Sequence, residues 1–123
     1  MKLLFIIIIF LTISCKGKPV DFKAEIETSF NSKNYEKMLT YLDKYKIEYG
    51  RDYYFERYSI LRYLTLNQFE KALKEYTNSK VIELKNDYEL ADKIAEVFLE
   101  TIKNDKIQDK LDKITYFIQI TPN

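Results

Sequence analysis

The chain has 123 residues and a formal net charge of +1, with 20 basic against 19 acidic side chains, no histidine and one cysteine. Without imidazole the usual general base, metal ligand and pH switch are gone, and serine–histidine or cysteine–histidine catalysis cannot be assembled. Two glycines cannot build a phosphate-cradling loop, a lone cysteine closes no intramolecular disulfide, and interspersed, balanced charge gives no electrostatic case for nucleic acid. The expectation is a non-enzymatic protein with no cofactor or metal, whose single modest core rests on packing alone.

In chain order, Lys2 supplies a positive n-region and Leu3 to Ile13 an apolar run broken only by Thr12. The run has the length of a signal-peptide h-region and falls short of the roughly 18–20 residues of a membrane span. Thr12-Ile13-Ser14-Cys15 resembles a bacterial lipobox, with Thr12 where leucine is usual and Ser14 where glycine or alanine is commoner. That resemblance implies cleavage after Ser14 and lipidation of Cys15. It also implies residence in the bacterial cell envelope as a membrane-anchored lipoprotein facing the periplasm or the exterior. The chain then divides into a signal peptide at 1–14, the lipidated cysteine and a short linker at 15–19, and a helical domain at 20–123. Balanced charge in the remainder assigns membrane contact to the lipid.

Apolar positions at helical spacing predict six helices, at about 20–31, 34–48, 52–65, 68–80, 87–103 and 106–119. Phe22, Ile26 and Phe30 mark the first; Phe55, Tyr58, Leu61 and Leu64 the third; Leu90, Ile94, Val97, Phe98 and Ile102 the fifth. Asn67 with Glu70, Asn86 with Glu89 and Asp105 with Gln108 have capping-box spacing, and Gly50 stands where a C-cap is needed. Asp87, Glu89 and Asp92 complement the dipole at the head of the fifth helix, and no run has the spacing of a calcium loop. The last helix carries Ile114, Tyr116, Phe117, Ile118 and Ile120, more apolar surface than a terminal helix needs. Three outcomes are open: packing on the fifth helix, association with a partner or a second copy through Ile114, Phe117 and Ile118, or an extended tail over 115–121. The expectation is packing on the fifth helix, with a residual exposed patch and weak self-association.

Asn34-Tyr35-Glu36-Lys37-Met38-Leu39 returns 34 residues later as Gln68-Phe69-Glu70-Lys71-Ala72-Leu73, and more weakly after a further 38 as Lys106-Ile107-Gln108-Asp109-Lys110-Leu111. A period near 34 is the mark of stacked helical hairpins, so the expected fold is all-α, three antiparallel hairpins of about six helices. Ile60, Tyr63, Phe69, Ala72, Tyr76 and Ser79 of the middle copy, with Pro122 closing the third, resemble the tetratricopeptide repeat family over roughly 19–122. Met38 and Lys110 depart from the small residue that Ala72 provides, and no tryptophan occurs.

The resemblance implies a short right-handed solenoid that binds a protein or peptide across the first helix of each pair. Carried onto this chain, that concave face holds Lys23, Glu27, Tyr54, Arg57, Tyr58, Leu61, Ala95, Glu96 and Leu99. Leu61 and Leu99 stand where the asparagines of a carboxylate-binding clamp would be, so that clamp is not expected. The tyrosines crowding the second and third helices have two readings, hairpin packing and a rigid amphipathic contact surface. The functional expectation is a lipid-anchored envelope adaptor that holds a protein or peptide partner. The alternative is a structural or oligomeric component that associates through its C-terminal apolar helix.

Overall fold

A computed structural model describes residues 19–121; Cys15 and the segment before it lie outside the described residues. Among the described residues there are seven helices and no strand: α1 (Phe22–Asn31), α2 (Tyr35–Tyr49), α3 (Tyr53–Thr65), α4 (Phe69–Asn78), α5 (Ile82–Lys85), α6 (Tyr88–Ile102) and α7 (Ile107–Ile120). The protein is all-α, and each of the six predicted helices is present to within two residues at either end. The extra element, α5, is a single turn that seats Leu84 in the core. Residues 115–120 stay helical, so the extended-tail alternative is set aside.

The pairs α1/α2 and α3/α4 are closed by the same turn. Lys33 (φ 61°) and Asn67 (φ 57°) take the left-handed conformation, 34 residues apart. In the first turn the Lys33 N–H donates to the Phe30 carbonyl at 3.1 Å and the Asn34 N–H to that of Ser29 at 2.8 Å. In the second, Asn67 donates to Leu64 at 3.2 Å and Gln68 to Tyr63 at 2.9 Å. This is a Schellman closure, which satisfies carbonyls orphaned at the helix end. Burial repeats at the same spacing: Ile26, Ile60 and Ile94 are fully buried, as are Met38 and Ala72. The larger Met38 is thus accommodated where the middle copy has alanine.

Three expected caps are displaced. Asn67 is spent on the left-handed turn, and Gln68 becomes the N-cap of α4 without a side-chain bond. Asp87, not Asn86, caps α6, its Oδ1 accepting the Leu90 N–H at 2.9 Å. Asp105 does not cap α7; Lys106 holds that position, and Asp105 accepts from Lys113 Nζ at 2.6 Å. Asn34 and Asp52 cap α2 and α3, and Gly50 ends α2 at φ 78° with its N–H on the Lys46 carbonyl at 2.8 Å.

Two buried clusters form the core. Ile26, Met38, Leu42, Tyr45 and Phe55 make the first; Ile60, Leu61, Leu64, Ala72, Tyr76, Leu84, Leu90 and Ile94 make the second. Phe30 and Tyr58 pack against both, their rings edge to face at 6.0 Å, and join the clusters into one body. The third pair is looser. None of the residues of α7 is buried, and the helix meets α6 through Phe117, stacked on Phe98 at 4.4 Å with an interplanar angle of 8°. No left-handed residue closes the turn between α6 and α7, so the device that tightens the first two hairpins is missing from the third.

Candidate functional site

The first helices of the three pairs, α1, α3 and α6, are linked by polar contacts that start from α3. The Tyr54 hydroxyl donates to the Lys23 carbonyl at 3.0 Å, with Glu27 Oε1 a second acceptor at 3.1 Å, and Lys23 Nζ lies 4.9 Å from the centre of the Tyr54 ring. One turn on, Arg57 Nε donates to Asp87 Oδ2 at 2.9 Å, and its Nη2 lies 3.6 Å from Glu89. The Tyr53 hydroxyl reaches the same Asp87 oxygen at 2.8 Å. Asp87 therefore serves three donors at once: the Leu90 N–H, Tyr53 and Arg57. Its side chain is only 8% exposed and that of Arg57 18%, so water screens the pair poorly.

Burial pushes the Asp87 carboxyl up, but the Leu90 N–H, the Tyr53 hydroxyl and the Arg57 guanidinium together outweigh it and hold the group below its ordinary value. Arg57 is correspondingly held in its charged form, its own burial being outweighed by Asp87. Tyr54 and Tyr58 are both raised, first by burial and then by the Glu27 carboxylate, so neither hydroxyl ionises near neutrality. Their rings lie 4.7 Å apart and continue a row from Tyr49 through Tyr45, with Tyr45–Tyr54 at 5.3 Å. The patch is a rigid aromatic surface edged by Lys23 and Glu27. It offers contact area and hydrogen-bond acceptors.

The predicted site residues are divided by the fold. Tyr54, Arg57 and Tyr58 come together on one surface with Lys23 and Glu27. Leu61 does not line it: the side chain is buried in the second cluster, because its position on α3 faces α4 and α6. Arg57 is not a free cation, since Asp87 and Glu89 hold it. Ala95 is half-buried, while Glu96 and Leu99 are exposed. The latter two lie roughly 13 and 18 Å along α6 from Asp87 at helical rise, so they extend the surface rather than complete the patch. On the last helix, Phe117 faces inward onto Phe98, Ile114 is half-buried and Ile118 is exposed. Tyr53 and the bridging role of Asp87 were missed. The Asp87-x-x-Leu90 spacing, matching Asp52-x-x-Phe55, was the available signal for the cap, but nothing local pairs Asp87 with an arginine 30 residues away.

A second polar feature lies between α3 and α4. Glu56 is buried with Oε2 lacking any partner, beside a cavity of about 490 Å³ also lined by Arg51, Lys74, Glu75 and Lys80. Burial raises the Glu56 carboxyl, Arg51 opposes it, and Glu75 raises it further. No group of three or more carboxylate or cysteine side chains is gathered to hold a metal among the described residues, and no described helix is long and apolar enough to cross a membrane. Comparison with protein families, with curated proteins and with solved structures finds no match.

Proposed function

We propose that the chain is a lipid-anchored adaptor of the bacterial envelope, held at the membrane through Cys15, whose tetratricopeptide-like helices capture a protein or peptide partner. The observation that carries this reading is the linkage of α1, α3 and α6 around Tyr54, Tyr58 and Arg57, with Glu96 and Leu99 exposed farther along α6. A partner helix or extended segment lying across these elements would meet rigid tyrosine rings and the Lys23 and Glu27 side chains. Its interface would sit near the small end of the usual range. Arg57 braces the face, so its reversal would damage the fold and report nothing about binding. Lys23→Glu with Glu96→Lys reverses two exposed charges at the cost of only the Lys23 contact with the Tyr54 ring. In affinity capture from solubilised envelope, that double variant is expected to lose the partner at unchanged helicity; a partner retained by both it and Tyr54→Ala would count against the face. Fatty-acid labelling that vanishes in Cys15→Ser would support the anchor, and labelling that survives would refute it.

A second reading, self-association, is favoured by the outer face of α7. Ile107, Leu111 and Ile118 are 78%, 53% and 67% exposed and, with Ile114, follow the 4–3–4 spacing of a helix-pairing seam. Burying three such side chains per copy yields a few kcal/mol each at most, against an association cost of about 4–15 kcal/mol, so the pairing would be weak. Leu111→Glu or Ile118→Glu tests it by light scattering. Phe117→Glu does not, because Phe117 is turned inward.

A further inference from the structure

The inner face of α7 carries a different feature. Together with α4 and α6 it encloses a groove of about 490 Å³, within the size range of small-molecule sites. The floor is three phenylalanines, one from each helix: Phe69 lies 5.7 Å from Phe98 and 6.4 Å from Phe117, with Phe98 and Phe117 stacked. Two wall hydroxyls are engaged by their own helices, Thr77 donating to the Leu73 carbonyl at 2.9 Å and Thr101 to that of Val97 at 2.7 Å, while Asn78 and the exposed Tyr116 also line the groove. The part of a ligand that lies over the three rings must be apolar, since the floor offers a buried polar group no partner.

The rim has the opposite character. Lys71, Lys74 and Lys113 border it against one carboxylate, Glu70. Lys113 is neutralised by Asp105 at 2.6 Å, whereas Lys71 and Lys74 form no ion pair among the described residues. An apolar aromatic floor under a mouth of unpaired ammonium groups matches one chemistry. We propose that this groove binds a single-chain anionic amphiphile of the fatty-acid carboxylate type, its chain over the three phenylalanines and its head at the Lys71 and Lys74 mouth. A second copy is not the occupant, because the exposed stripe of α7 points away from the groove. The site shares no residue with the α1, α3 and α6 face, so it stands or falls independently of the partner-binding reading.

The test is calorimetric titration of the full chain with dodecanoate below its micelle concentration. Dodecanol serves as the neutral probe and phosphatidylglycerol vesicles as the membrane probe. The expected result is saturable binding of one dodecanoate, weakened by added salt and about tenfold by Lys71→Glu with Lys74→Glu. Thr101→Trp, which fills the groove from an exposed position, is expected to abolish binding while helicity is kept. The proposal is overturned by absence of dodecanoate binding, by dodecanol binding as tightly, by affinity indifferent to both variants, or by attachment to vesicles without uptake of the monomer.

Discussion

Glu56 and Asp87 are two carboxylates on which the fold acts in opposite senses. Glu56 is raised by burial, with one oxygen unpartnered, so the folded state favours its protonated form. Its contribution is favourable below the ordinary carboxylate range and is lost as pH rises through the folded value. Glu56→Gln should therefore stabilise the protein at pH 7 by about 1 kcal/mol in urea titration, and the gain should fade below about pH 4, where glutamate is protonated in both states. Asp87 is depressed by its three donors, so its contribution is present above the ordinary range and lost as pH falls through the folded value. Asp87→Ala removes the α6 cap and strands a half-buried guanidinium. A loss of about 2–3 kcal/mol is expected by thermal unfolding, and a smaller one for Asp87→Asn, which keeps a capping oxygen.

Among the elements, the repeated hairpin turn carries the sharpest consequence. Lys33 and Asn67 hold equivalent left-handed positions, but lysine pays a steric penalty there that asparagine largely escapes. Lys33→Gly should stabilise by about 0.5–1 kcal/mol after the entropic cost of glycine, and Asn67→Gly by close to nothing. Equal effects at the two sites would mean that strain is not what separates them.

Helix positions were legible because apolar spacing is a local signal and burial follows it at Ile26, Ile60 and Ile94. Caps were less so. Asn67 fits a capping box and a left-handed turn equally well as a residue type, and only the closing bonds to Tyr63 and Leu64 decide between them. The single turn of α5 is too short to show a period. For the candidate face, Tyr54 and Tyr58 could be named only through the resemblance to tetratricopeptide repeats, and the burial of Leu61 and the anchoring of Arg57 by Asp87 depend on contacts between distant segments, which periodicity does not encode.

At the scale of the molecule, two buried clusters bridged by Phe30 and Tyr58 make α1 to α6 one body, and α7 is attached at its side. The attachment rests on Phe117 against Phe98 and Phe69, with the groove beneath it and an apolar stripe outside. A helix that buries no residue has little to hold it against local opening. Amide hydrogens of α7 should therefore exchange with deuterium well before those of α3 and α6, at a rate set by detachment of this one helix rather than by global unfolding. Protection in α7 equal to that of α3 would show a single cooperative unit. No left-handed closure ties α7 to α6 as it ties the two earlier pairs, so this last segment is expected to open and close as a foldon of its own, on its own timescale.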